Sequence, residues 1–273
     1  MRGATRSLFA RAGVGLTANV VQRSALRFSK VVVDSPALIL VRHGTKSLRC
    51  GGQRWTLEDG DAIAIAGGQS FDVSNRLSAA QLYEARWLVW DRPVIEQFAL
   101  TQPAEQPLKG AQVLKQVGTE FVAALERAVA AVADPSTCPD EVARHRLAEL
   151  LVWLSLAGVR FAPQRATTIT SELRALFGAA TAQAWTVPQV AERLAMSEAT
   201  LRRRLNAEGT GFVELLADVR MSHAMTLLQS TDRPVAHIAS AVGYESASRF
   251  AIRFRERFGF APTAIRGHRR AGA

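Results

Sequence analysis

Thr200, Arg202, Arg203 and Arg204 crowd a short segment whose apolar residues, Leu201 and Leu205, sit four apart. On a helix that spacing puts both leucines on one face and the guanidinium groups on the other. A guanidinium is a planar fork of N–H donors, so it binds paired acceptors such as N7 and O6 of guanine, and it neutralises phosphate. Ser246, Ala247, Ser248, Arg249, Ile252 and Arg253 form a second such group around Phe250 and Phe254. The chemistry in both places is recognition of an anionic, edge-presenting surface rather than bond making.

The flanking sequence explains how such groups are held. Residues 185–195 read as a helix with Thr186 as N-cap and Gln189 three residues on, the capping-box spacing. Pro188 falls in the first turn, where its missing N–H is tolerated. Val190, Ala191 and Leu194 face inward, a turn follows at Ala195-Met196, and Ser197 caps the helix that carries the arginines. Two short helices joined by a tight turn make a helix-turn-helix. The pattern repeats with Pro234, Ile238, Ala239, Val242, a Gly243-Tyr244 turn, Ser246 and the stripe Phe250, Phe254, Phe258. Ala191 and Ala239 are 48 residues apart, whereas Leu201 and Phe250 are 49 apart, so the second turn has one extra residue. Between the repeats, residues 211–230 form an amphipathic strut of roughly 30 Å, close to the ~34 Å turn of B-DNA.

With these residues in view, 185–266 resembles the double helix-turn-helix domain of AraC/XylS transcription regulators. The likeness runs through Val190-Ala191-Glu192-Arg193-Leu194, Leu201-Arg202-Arg203, Val219-Arg220-Met221, Ala224, Leu227-Leu228 and Val242-Gly243-Tyr244-Glu245-Ser246, then Phe250, Phe254, Phe258-Gly259, Pro262 and Arg266. The resemblance implies a sequence-specific regulator, usually an activator, that binds double-stranded promoter DNA and recruits RNA polymerase. By position it implies base-reading at Ala199, Arg202 and Arg203, and at Ala247, Ser248, Arg249 and Ile252. Ala199, Ala247 and Ile252 offer no polar contact, so the second helix is expected to read less sharply, through thymine methyls, Arg249 and the backbone. Ser197, Thr200, Arg204, Ser246 and Arg253 complete the expected DNA-facing set.

Elsewhere the sequence is less specific. Residues 31–168 carry a charge of −1, against +6 in residues 1–30 and +5 in residues 169–273, for a total of +10. Short apolar runs divided by Gly and Asp between residues 28 and 90 suggest an all-β barrel, and helical periodicity follows. Val113, Val117, Phe121, Leu125 and Val129 read as one helical stripe; Ala143, Leu147, Leu150, Leu154 and Ala157 read as another, to be packed on the barrel or used for dimerisation. The expected fold class is α+β. A flexible basic tail (1–27) precedes a cupin-like regulatory and dimerisation domain (28–160), a linker (161–170) and an all-α double helix-turn-helix domain (171–273).

Cys50 and Cys138 are too few for a disulfide framework, and no apolar run is long enough to span a membrane. Only His43 falls in the barrel segment, so no metal is expected there, and no cofactor. Arg42 and Lys46 would suit a small anionic effector such as a fatty acid; a protein effector and a barrel filled by its own side chains are alternatives. Arg42-His43-Gly44 resembles the nucleophile loop of histidine phosphatases, but no second histidine has matching context and strand–helix alternation is missing. The expected protein is therefore not an enzyme. It is a cytoplasmic, nucleoid-associated homodimer, with a non-specific DNA-architectural protein as the further alternative.

Overall fold

The computed structural model describes residues 5–102, 106–163 and 168–266. The chain divides into two compact units, one formed by residues 1–164 with 229–231, the other by 165–228 with 232–273.

The first unit is built on two antiparallel sheets. The larger runs in the order β1 (Ser7–Arg11), β2 (Gly15–Gln22), β9 (Tyr83–Trp90), β4 (Ala37–His43), β7 (Ala62–Ile65), β10 (Ala111–Leu114). The smaller runs β3 (Leu26–Val33), β8 (Gln69–Arg76), β5 (Thr45–Cys50), β6 (Gln53–Leu57). Alternation along the strands sends one set of side chains between the sheets and the other outward. Outward residues of the larger sheet, Leu38, Leu40, Ala62, Ala64, Leu88 and Trp90, are buried beneath helices α1 (Arg92–Thr101), α2 (Thr119–Ala133) and α3 (Asp140–Leu156). The α3 stripe Ala143, Leu147, Leu150 and Leu154 lies wholly within this core. It is therefore occupied by the sheet, and Trp90 Nε1 donates to the Leu147 carbonyl at 3.0 Å.

Three boundaries differ from those expected. Of the expected tail, 1–27, residues 1–4 lie outside the described residues and residues 5–27 are not a tail. They supply β1 and β2, and β2 pairs with β9 in continuous register from Gly15↔Trp90 to Gln22↔Tyr83. Two of their bases are bound within the fold, while Arg23 and Arg27 are exposed: Arg11 donates to the Ala131 and Cys138 carbonyls at 2.7 Å each and ion-pairs with Asp140. Arg6 Nε donates to the Val21 carbonyl at 3.1 Å. Second, residues 111–114 form an edge strand on β7 rather than the start of a helix, and α2 begins only at Thr119. Third, Val159 and Phe161, placed in or beside the linker, belong to the core, and Phe161 packs on Trp90 with ring centroids 5.5 Å apart.

The second unit is all-helical: α4 (Ile169–Ala179), α5 (Val187–Arg193), α6 (Glu198–Ala207), α7 (Phe212–Ser230), α8 (Val235–Ala241) and α9 (Ala247–Phe258), closed by a 3-10 turn over Pro262–Arg266. Ile169, Leu173 and Phe177 of α4 pack with Val190, Ala191, Leu201, Leu205, Leu215 and Val219 in one core. Phe250, Phe254 and Phe258, all buried, anchor the second motif, with the first two rings 5.6 Å apart and the last two 4.7 Å apart. Among the described residues no helix is long and apolar enough to cross a membrane.

Candidate nucleic-acid interface and barrel interior

Each helix-turn-helix holds its second helix by a cap and an apolar seam. Thr186 N donates to Gln189 Oε1 at 3.1 Å, closing one arm of the expected box at the start of α5. Ser197 Oγ accepts from Thr200 N at 3.2 Å and fixes the entry to α6. Leu201 and Leu205 are buried, while Ala199, Arg202, Arg203 and Arg204 are exposed and Thr200 is half-buried. Ser197 is exposed too, its hydroxyl 3.0 Å from that of Thr200. Arg202 lies 3.1 Å from Glu198 in a surface pair, which is weak enough to yield to a competing acceptor. Among the described residues no side chain pairs with Arg203 or Arg204.

The second motif has the same construction. Ser246 Oγ accepts from Arg249 N at 3.4 Å at the start of α9. Ala247, Ser248, Arg249, Ile252 and Arg253 are exposed and Ser246 is half-buried. Ile252 stands 59% exposed, unusual for an isoleucine on a charged face. Arg253 is 3.1 Å from Glu256 in another exposed pair. The expected residues thus group on the outer faces of α6 and α9, one group per motif.

The turns are related but not identical. Ala195, between α5 and α6, has φ +50°; the residue 48 places later, Gly243, has φ +80°. A Cβ on Gly243 would lie 2.7 Å from Arg220 Nη2 and 3.1 Å from the Ala182 carbonyl oxygen, so both the positive φ and the close neighbours favour glycine there. Arg220, on α7, donates to the carbonyls of Thr181 (3.1 Å) and Gln183 (2.8 Å), and its guanidinium lies 5.9 Å from the Tyr244 ring centre. The central helix therefore touches the entry to the first motif and the turn of the second with one side chain. At 19 residues it is roughly 28 Å long.

The first unit holds a different feature. Lys46, expected with Arg42 to suit a small anionic effector, is 2% exposed and lies between the sheets. Its ammonium donates to Asn75 Oδ1 at 3.2 Å and sits 5.8 Å and 5.3 Å from the ring centres of Tyr83 and Trp87. Asn75 Nδ2 in turn donates to Gln22 Oε1 at 3.2 Å, joining the two sheets. Burial pulls the Lys46 pKa down to about 7 and pushes the Tyr83 hydroxyl up. Gln22 Nε2, Tyr83 OH and Trp87 Nε1 are buried without a hydrogen-bond partner among the described residues. Each can donate, so the cluster is short of acceptors. Sequence reading reached Lys46 but missed Gln22, Asn75, Tyr83 and Trp87. The available signal was a polar residue, Gln22 or Asn75, at an inward position of an otherwise apolar strand.

Arg42 and His43 do not converge. Arg42 pairs with Glu126 of α2, which also lies 3.4 Å from Arg86, whereas His43 is exposed with Nδ1 3.9 Å from Asp59. The pair expected of a phosphatase loop is divided between opposite sides of β4, and Arg42 is separated from Lys46. Among the described residues no three His, Cys, Asp or Glu side chains gather as a metal site.

Comparison with known proteins follows this division. A family model described as a helix-turn-helix domain matches residues 190–268. The transcriptional activator FapR of Escherichia coli is 34% identical over 97 residues, which cover 36% of this chain and 37% of FapR. The regulator GadX of E. coli is 35% identical over 82 residues, 30% of each chain. The chain thus spans only about a third of the length of these curated relatives. Among solved structures, an apo point variant of ToxT from Vibrio cholerae shares 14% identity with a TM-score of 0.66, over 94% of this chain and 97% of that one. Fatty-acid-bound wild-type ToxT gives 0.62 at 14% identity, over 97% and 96%. Residues 190–268 thus match a helix-turn-helix domain, and the chain as a whole has an α+β fold like that of ToxT.

Proposed function

We propose that the chain is a sequence-specific DNA-binding transcription regulator that enters two adjacent major grooves with α6 and α9. The carrying observation is the pair of motifs, each with a buried seam and an exposed arginine group, mounted on one central helix. Arg202 and Arg203 read base edges from α6, and Arg204, Arg249 and Arg253 contact phosphate or flanking bases. Ile252 and Ala247 offer apolar contact to thymine methyl groups. FapR, named an activator, supports activation, and with it contact to RNA polymerase at a promoter in the cytoplasm. A second copy has the exposed side of α3, with Val152 and Leu156, available to it.

Control passes through the first unit. The unsatisfied donors around Lys46 favour an acceptor-rich guest, a carboxylate or similar small anion, and ToxT has been solved with an unsaturated fatty acid bound. Lys46, not Arg42, carries that role, because Arg42 is neutralised by Glu126.

Selection of duplexes from a random pool by the purified chain tests the reading. A defined sequence is expected, and Arg202→Ala or Arg203→Ala should each weaken its binding by about 1–3 kcal/mol. Equal binding to random and selected DNA at fixed salt would instead mark an architectural protein. Thermal shift with octanoate, in wild type and in Lys46→Met, tests the effector site; stabilisation that survives the substitution would remove Lys46 from it.

A further inference from the structure

Helix α4 comes first in the C-terminal unit and carries none of the groups expected to face DNA. One of its polar contacts nevertheless reaches the far end of α6 directly, and another reaches the far end of α9 by way of Asp218 on α7. At its N-terminus, the amides of Ile169 and Thr170 donate to the two carboxylate oxygens of Glu208, each at 2.9 Å. Glu208 is the C-cap residue of α6. In its middle, Arg174 Nη1 donates to Asp218 Oδ2 at 2.7 Å, and the other oxygen of Asp218 accepts from Arg257 Nε, also at 2.7 Å. Arg257 lies in the last turn of α9. One carboxylate therefore ties α4 to α6, and the other ties α4 and α7 to α9.

These bonds differ in kind from the apolar seams. Packed leucines and phenylalanines resist separation but permit small slides and rotations. A carboxylate shared between two fixed donors has a narrow range of angle and distance, and a charged partner shortens and strengthens it. Arg174 is almost completely buried and Asp218 mostly so, so solvent competes weakly for the bond. The two guanidinium groups also engage one oxygen each of the same carboxylate, so Asp218 is held from both sides.

We propose that Glu208, bonded to α4, and Asp218, bonded from α7 to both α4 and α9, are positioning residues that fix the spacing and rotational phase of the two recognition helices. The protein then accepts its two half-contacts at one separation along DNA and rejects others. This rests on the DNA-reading function above and adds a determinant that touches no base.

The test uses the full-length chain and the duplex it selects, with one to five base pairs inserted or removed between the two protected segments. Wild type should show a sharp optimum, with affinity falling at least tenfold at altered spacing. Asp218→Asn should lower affinity at the selected spacing about tenfold and change it little at the others, flattening the profile. Arg257→Gln, which breaks the same bond from α9, should behave likewise, and the double variant should be no worse than either single one. Asp218→Glu, which keeps both acceptors, should recover much of the optimum. A loss by the same factor at every spacing, or an unchanged profile, overturns the proposal and leaves Asp218 a stability residue. A wild-type chain that selects no sequence is a different result; it overturns the DNA reading and this proposal with it.

Discussion

Ala195 and Gly243 occupy the same place in the two motifs, and both have positive φ. Glycine adopts that conformation without strain, whereas a residue with a Cβ is disfavoured there by about 1–3 kcal/mol. Ala195→Gly should therefore stabilise the C-terminal unit by about 0.5–1 kcal/mol, after the greater freedom of glycine in the unfolded chain is offset. Urea titration followed by helical circular dichroism reads the change, and a destabilised variant would show that the Ala195 methyl contributes packing. Lys46 gives a residue-scale effect of opposite origin. Burial disfavours its charged form, so between about pH 7 and 10.5 the folded chain binds fewer protons at this site than the unfolded chain. Stability rises with pH across that interval, and below pH 7 the full destabilisation remains. Lys46→Met should raise the melting temperature at pH 6 and lose that advantage as pH approaches 10.5. An anion beside the ammonium would favour the charged form and reduce the slope.

At the scale of elements, α6 and α9 were legible because everything that defines them is local. Caps, inward stripe and turn lie within about twenty residues, and the 48–49-residue repeat confirms each against the other. Strands β1, β2 and β10 were not legible, since their partners are remote: β2 pairs with β9, and β10 pairs with β7. Short strands with basic or glycine residues look like linkers until such a partner is known. The environment of Lys46 was hidden for the same reason, being assembled from β2, β5, β8 and β9. Glu208 and Asp218 gave no signal because a carboxylate on a helix reads as a solvated face. The cap on α4 has its own pH signature. Burial raises the Glu208 pKa, but the hydrogen bonds from Thr170 and Ile169 outweigh it and hold the carboxyl below the ordinary range. Its contribution is full above about pH 4.5, the ordinary glutamate value, and is lost as pH falls through the depressed value. Hydrogen exchange at Ile169 and Thr170 should accelerate there before the rest of the unit opens. On α9, Arg249→Ala should reduce the salt slope of DNA binding by about 1 if the side chain neutralises one phosphate.

For the molecule as a whole, the net charge of +10 separates into different tasks. In the first unit Arg11, Arg42 and Arg86 are bound to carboxylates or carbonyls of that unit. In the second, Arg203, Arg204 and Arg249 remain exposed on the outer faces of α6 and α9. Residues 165–273 expressed alone should fold cooperatively on their own cores, retain DNA selectivity and lose any response to octanoate. A thermal melt and a gel shift on that fragment check both statements.

The pairing of β2 with β9 also has a consequence in time. Gly15 faces Trp90 and Gln22 faces Tyr83, so an early strand must wait for one whose sequence lies some sixty to seventy-five residues later. The helical unit closes mostly over short separations, and chains with local contacts fold orders of magnitude faster than those with remote ones. Refolding from denaturant should then be biphasic, helix signal first and burial of Trp87 and Trp90 later. On the ribosome, β2 would spend that interval as an unpaired apolar strand, the period in which this chain is most open to aggregation and to chaperones.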